Sequence, residues 1–159
     1  MLLKVARFVN LFVAALLVGN EFGTWSAVHP ALSKLPTPEQ VRAEQEITRR
    51  YGAMMPLWMS SVILSCLPVL RLVRGRRHDF RFTLAGTICF VTMLLVTLMG
   101  NVPINNRVLE LSPQSPPEEF LQLRERWDRL HAVRNLLNMA GLSCLYAGAL
   151  LSSRSEARQ

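Results

Sequence analysis

The sequence predicts an all-α fold, a bundle of four transmembrane helices with capped polar helices in its two outer loops. Of the 159 residues, 50% are hydrophobic and 18% are charged, and the net charge is +7. The charged residues crowd between four long apolar stretches instead of mixing with them. This separation excludes a basic soluble domain with its own core, and it excludes a disordered basic tail.

The apolar stretches are predicted to cross the membrane at residues 5–27, 53–73, 82–104 and 131–151, so that residues 1–159 form a single integral membrane domain. A bilayer core of about 30 Å is crossed by about 20 helical residues. The second and third stretches meet this length almost without charge, whereas the first contains Glu21. The fourth reaches it only if Arg134 and Asn135 face protein rather than lipid.

The basic residues predict the orientation of the chain. The short loop 71–81 contains five arginines and one acid, Asp79. Because short, densely basic loops stay in the cytoplasm, both termini are predicted to be cytoplasmic, in a bacterial inner membrane. The lipid bilayer is thus the first predicted partner. No nucleic-acid partner is expected, since no basic face carries interleaved aromatic residues. The three cysteines have no metal-binding spacing and are interpreted as small buried hydrophobic residues.

The first outer loop contains a helix-start signal. Residues 37–40 read Thr-Pro-Glu-Gln, in which Thr37 is predicted as the N-cap, with proline at the first helical position and glutamine completing a capping box. A polar helix is expected from there to about Tyr51. Gly52 and Pro56 are expected to mark its junction with the second span.

The second outer loop repeats this device at residues 115–118, which read Ser-Pro-Pro-Glu. The helix that follows pairs Arg124 with Asp128 and Glu125 with Arg129 at i,i+4 spacing. The two halves of the chain therefore resemble a weak internal repeat, although any four-span protein could show the same order of elements.

Polar side chains form one stripe near the outer end of the fourth span. At 100° per residue its members fall within an arc of about 100°, while their neighbours are apolar. These members are Trp127, His131, Arg134, Asn135 and Asn138. The stripe is expected to face the bundle interior or a wet cavity.

The third and first spans carry polar groups at the same predicted depth. Asn101 and Asn105 follow one face of the third span, and Pro103 between them is expected to kink or end the helix. Glu21 lies near the outer end of the first span, and His29 lies just beyond it. We expect a shared pocket in the outer leaflet. In the alternative interpretation, Glu21 only pairs with Arg134 and the asparagines join helices.

Three segments of the chain resemble one family. They are the run Asn-Val-Pro-Ile-Asn at 101–105, the run Trp-Asp-Arg-Leu-His-Ala-Val-Arg at 127–134, and the run Val-His-Pro-Ala-Leu at 28–32. Together they resemble the anthrone oxygenase-like family of small membrane proteins, over roughly residues 19–150. The resemblance implies oxidation of an anthrone to an anthraquinone by O₂ without a cofactor.

The roles that this resemblance implies are specific. His131 is the expected base, and Arg134 with Asn101 or Asn105 is expected to stabilise the developing oxyanion. The expected substrate-binding residues include two tryptophans that stack on a flat aromatic substrate. They are Trp127, Trp25, Asn135, Asn138, Glu21 and His29.

Two other functions stay open. Glu21, His29 and His131 are the ligand types of a non-haem iron site, although their spacing does not support one. A non-enzymatic binding, transport or accessory protein could use the same pocket for a quinone, a lipid or another small hydrophobic ligand. The transport version predicts a homo-oligomer, with small residues at close helix contacts within or between chains. Those residues are Gly86, Gly141, Ala147 and Gly148.

Overall fold

The computed structural model describes residues 1–114 and 117–156 and arranges them as four helical rods. The described residues contain no β-strand, so the all-α, four-helix prediction is confirmed. The first rod comprises α1 (Leu2–Gly23), a π-helical turn (Thr24–Val28) and α2 (His29–Leu32), and the second rod is α3 (Thr37–Leu72). The third rod comprises α4 (Arg77–Val96), a second π-helical turn (Thr97–Asn101) and α5 (Val102–Glu110), and the fourth is α6 (Pro117–Glu156).

Three of the four rods are long and apolar enough to cross a membrane. They are Leu2–Leu32, Thr37–Leu72 and Arg77–Glu110, which contain the first three predicted spans except for Val73, the C-cap of the second rod. Among the described residues α6 is not found to be such a rod, and polar residues such as Arg134, Asn135 and Asn138 lie in its apolar part. That the fourth rod also crosses the membrane stays a prediction.

The predicted cap of the first outer helix is wrong. Thr37 is the first residue of α3, and the N-cap is Pro36, with no side-chain cap hydrogen bond. The helix also continues through Gly52 and Pro56, so the polar helix and the second span are one element. In the second loop, Ser115 and Pro116 lie outside the described residues.

A proline follows each π-helical turn. His29 N–H donates to the carbonyl of Thr24, and Val102 N–H donates to the carbonyl of Thr97, so each turn ends on an i+5 hydrogen bond. Pro30 and Pro103 come next in the chain. Because proline lacks an N–H and clashes with the carbonyl four residues earlier, a widened turn before it accommodates the ring without ending the rod.

Two apolar clusters hold the rods together, with a polar layer between them. The larger cluster lies in the apolar halves of the rods and includes Leu17, Met59 and Phe90. The smaller cluster lies where α5 packs against the first part of α6 and the start of α3, and it includes Ile104 and Phe120. Residues in the intervening segments of each rod, such as 20–29 and 124–138, therefore meet between two cores.

Glycines bring α4 and α6 into close contact. A Cβ atom on Gly86 would lie 2.8 Å from the carbonyl oxygen of Gly141, and one on Gly148 would lie 3.3 Å from the Cβ atom of Phe82. Gly86, Gly141 and Gly148 are therefore used for packing within the chain. The homo-oligomer stays a prediction and draws no support from these three glycines.

Candidate functional site

A cavity of ≈ 650 Å³ lies in the polar layer, where α3 faces the other three rods. This volume is typical of pockets that enclose a small molecule, which are about 300–1,000 Å³. Its lining is apolar on the side of the larger core, where Met55, Met59 and Leu94 contribute. The opposite side is polar and includes Glu44 and Asn105. The cavity thus offers an apolar chamber with charged groups at one end.

A buried ion pair joins the first and fourth rods at this cavity. The Nη2 atom of Arg134 lies 2.6 Å from both carboxylate oxygens of Glu21. Both residues are about 95% buried, with exposed fractions of 4% for Glu21 and 5% for Arg134. The pairing proposed in the alternative interpretation therefore exists, and the same two residues also line the cavity.

His131 lies beside this pair. Its Nδ1 atom is 3.5 Å from Oε2 of Glu21, and its exposed fraction is 2%. Within the described residues neither ring nitrogen has a hydrogen-bond partner, and the Nε atom of Arg134 also has none. Because buried polar atoms are normally hydrogen-bonded, these atoms are candidates for contact with a ligand.

Three rings cluster next to the ion pair. The ring centroid of Trp127 lies 4.4 Å from that of His131 and 4.6 Å from that of His29. The two histidine rings are 5.6 Å apart and nearly perpendicular. The indole Nε1 atom donates to Oδ1 of Asn105 at 2.7 Å, which fixes the tryptophan against α5. All four residues line the cavity.

A second charged group supports His29. Its Nδ1 atom lies 3.1 Å from Oε1 of Glu44, and the Nη1 atom of Arg124 lies 2.9 Å from the same oxygen. Arg124 also pairs with Asp128, as the i,i+4 spacing predicts, and its guanidinium lies 4.1 Å above the ring of Trp127. The Glu44 carboxylate therefore has two partners within the protein, His29 and Arg124.

Six of the ten predicted site residues line this cavity. They are Glu21, His29, Asn105, Trp127, His131 and Arg134. Trp25 does not line it. Its side chain is 38% exposed on the outside of the first rod and contacts Phe22 edge to face.

The other three predicted site residues are asparagines buried behind the cavity. Asn101, Asn135 and Asn138 are each 0% exposed and do not line it. The Nδ2 atom of Asn135 donates to the carbonyl of His131, and that of Asn101 approaches the carbonyl of Trp127 at 3.5 Å. These contacts brace the helical segment that carries the indole and the imidazole.

Sequence reasoning missed Glu44 and Arg124, and it also missed Tyr51, whose hydroxyl accepts from Asn20 at the cavity wall. The available signal was the buried stripe of α3, which continues upstream through Val41 and Glu44 at helical spacing. A helix end assumed at Tyr51 hid this continuity.

The iron alternative has no assembled ligand set. Within residues 1–114 and 117–156, no three histidine, cysteine, aspartate or glutamate residues are placed to hold a metal ion. His29 faces Glu44, whereas His131 faces Glu21, which also pairs with Arg134. The geometry therefore gives the Glu21–His29–His131 alternative no support.

Comparison with known proteins gives one match. The family model described as anthrone oxygenase matches residues 45–144, which is more than half of the chain. The matched part contains Asn105, Trp127, His131 and Arg134, whereas the segment around His29 lies outside it. No curated protein and no solved structure matches the chain. The match, together with the motifs at 101–105 and 127–134, establishes that the chain belongs to the anthrone oxygenase family.

Proposed function

We propose that the protein is a membrane-embedded oxygenase that oxidises a flat hydrophobic phenolic substrate of the anthrone type with O₂ and without a cofactor. The observation that carries the proposal is the environment of His131. Its imidazole is buried, both ring nitrogens lack a partner among the described residues, and it lines a cavity of ≈ 650 Å³. A base held ready in an apolar chamber suits the removal of a proton from carbon.

The reaction proceeds from that proton transfer. An anthrone has an acidic CH₂ group opposite its carbonyl, and the neutral imidazole of His131 accepts one of its protons. The resulting carbanion is also a phenolate, and it gives electrons to O₂ as the C–O bond forms. The peroxide anion then takes back from His131 the proton that His131 removed, which leaves the imidazole neutral again. Loss of the second C–H proton, with cleavage of the O–O bond, yields the quinone and one molecule of water.

The charged groups around His131 suit the charges that develop. The Glu21 carboxylate, 3.5 Å away, stabilises the imidazolium that forms when His131 takes the proton. The Nε atom of Arg134 has no partner in the part of the chain that the structure describes, so it can donate to the phenolate or peroxide oxygen, while Nη2 keeps Glu21 in place. Of the two asparagines predicted to stabilise the oxyanion, Asn101 and Asn105, only Asn105 lines the cavity, and its side chain is held by Trp127.

The route into the site is the membrane. Gly52, Pro56 and Ser60 line the cavity from α3 and are also exposed on the outside of the bundle. They lie in the apolar part of the rod, where lipid is the surrounding medium. An apolar polycycle therefore enters sideways without crossing water.

The test is anthrone oxidation by purified protein, with O₂ uptake and quinone formation measured against a protein-free blank. The His131→Ala variant is expected to lose about 10²- to 10⁴-fold in rate, the range that general base catalysis supplies. His78→Ala is the matched control, because His78 is exposed near the start of α4. Equal rates for His131→Ala and the wild type would remove the base assignment.

The rival proposal is a carrier or accessory protein that binds a quinone or lipid in the same cavity. Ligand binding is expected to change the fluorescence of Trp127, which lines the cavity. Trp127→Phe should abolish the change, whereas Trp25→Phe should keep it, because Trp25 lies on the outside. Saturable binding without any quinone product would favour the carrier.

A further inference from the structure

His29 and Glu44 form a histidine–carboxylate pair to which the reaction as described assigns no step. The Nδ1···Oε1 distance is 3.1 Å, and the exposed fractions are 8% for His29 and 4% for Glu44. Both residues line the same cavity as His131, and the rings of His29, His131 and Trp127 form one cluster. The widened turn Thr24–Val28 ends at His29, so the backbone irregularity of the first rod determines where this ring lies.

The carboxylate is held in place from its other side. Arg124 binds the same Oε1 atom at 2.9 Å and lies over the indole of Trp127. A carboxylate fixed against Nδ1 sets the tautomer of the ring and holds its orientation. Proton exchange then takes place at Nε2. This arrangement differs from that of His131, whose nitrogens have no partner within the described residues.

The last step of the oxidation needs two groups at once. One group removes the remaining C–H proton of the hydroperoxide, and the C=O bond forms as the O–O bond breaks. The departing oxygen leaves as hydroxide unless an acid protonates it in the same event. A single histidine that accepts the C–H proton is not also available as the acid at that moment.

We propose that His29, positioned by Glu44, is the general acid that protonates the leaving hydroxide, so that one oxidation uses two histidines. This proposal rests on the proposed function. His131 takes the second C–H proton, His29 gives a proton to the hydroxide, and water leaves. A proton then passes from His131 to the adjacent His29, whose ring centroid is 5.6 Å away, and the resting state returns. No oxidant other than O₂ is consumed.

The experiment separates the first step from the last. Without O₂, exchange of the substrate CH₂ protons for solvent deuterium reports proton removal by His131. With O₂, rapid quenching and mass spectrometry report the hydroperoxide and the quinone. The variants are His29→Ala, His29→Gln and Glu44→Gln, and the control is His78→Ala.

Wild-type protein should accelerate both exchange and quinone formation. Both His29 variants should keep exchange within about 3-fold of the wild type, lose about 10²-fold in quinone formation and accumulate hydroperoxide. Glu44→Gln should show the same split, with a loss of about 10-fold, because its effect passes through His29. His78→Ala should match the wild type, and a structural role of His29 would not produce this split.

Three outcomes would overturn the proposal. In the first, the His29 variants form quinone at the rate of the wild type and accumulate no hydroperoxide. The second is equal loss of exchange and quinone in His29→Gln and Glu44→Gln, which would put His29 in the first step or in the fold. The third is a normal product profile in Glu44→Gln. Failure of the proposed function is distinct, because the wild type itself would then show neither exchange nor quinone.

Discussion

The Glu21–Arg134 pair is a buried contact in which each single residue matters for stability. Both charges are buried, and the cost of removing them from water is offset by their 2.6 Å contacts with each other. Removing one partner of such a pair leaves an uncompensated charge, which is more costly than removing both. The pair therefore acts as a unit, and its two residues should not behave independently.

A double-mutant cycle tests this coupling. Glu21→Gln is expected to lower the free energy of unfolding by about 3–5 kcal/mol, because Arg134 keeps its buried charge. The double variant Glu21→Gln/Arg134→Gln should lose less than the sum of the two single variants. The measurement is unfolding of the purified protein in detergent.

An exposed pair provides the control for this cycle. Glu46 and Arg50 pair at 2.8 Å on the outside of α3, with side-chain exposed fractions of 55% and 80%. Glu46→Gln should cost under about 1 kcal/mol, since such pairs are screened by solvent. Additive losses at Glu21 and Arg134 would contradict the coupling.

Sequence reasoning placed at the site those residues whose side chains have a high free-energy cost of burial in a membrane. Glu21, His131 and Arg134 were predictable because a charged or titratable group in an apolar span must find a partner or a cavity. Glu44 lies in a polar segment of the sequence, where an acidic residue is ordinary and does not indicate a site. Its role depends on the continuity of α3 and on the turn before Pro30, and neither follows from local propensity.

At the scale of elements, the contact between α4 and α6 depends on the absence of a side chain at Gly86. A Cβ atom there would meet the backbone oxygen of Gly141 at 2.8 Å, and a backbone atom cannot move aside as a flexible side chain can. Any larger residue must therefore push the two helices apart, including the part of α6 that carries the polar stripe.

Gly86→Ala is accordingly expected to destabilise the protein by about 1–3 kcal/mol, the usual cost of overpacking. Gly19→Ala is the matched control, because a Cβ atom at Gly19 meets nothing within 4 Å and alanine favours the helix. The melting temperature in detergent measures both. A lower value for Gly19→Ala than for Gly86→Ala would contradict this account of the interface.

The two π-helical turns occupy equivalent positions in the first and third rods. Thr24 and Thr97 begin the turns, and Pro30 and Pro103 follow them at the same interval. This equivalence is visible from the hydrogen bonds, because widened turns have no residue signature beyond the proline that follows, and the internal repeat stays a prediction.

At the scale of the whole molecule, the charges divide between the two ends of the bundle. The end with both termini and the loop 71–81 has nine basic and two acidic residues in the sequence, whereas the remainder has nine of each. At the basic end, Arg7 of α1 pairs with Asp79 of α4 at 2.8 Å. Most of the net charge of +7 therefore belongs to one end of the described bundle, and the cavity lies toward the balanced end.

This asymmetry predicts the orientation, and cysteine labelling in intact bacterial cells can measure it. Ser33→Cys and Gly75→Cys place a thiol in the exposed connections on opposite ends of the bundle. The native thiols provide the background, since Cys66 is buried and Cys89 and Cys144 are half-buried. Because basic loops stay in the cytoplasm, a membrane-impermeant maleimide should label Ser33→Cys and spare Gly75→Cys until the membrane is broken. Labelling of Gly75→Cys alone in intact cells would reverse the orientation and put the cavity on the cytoplasmic side.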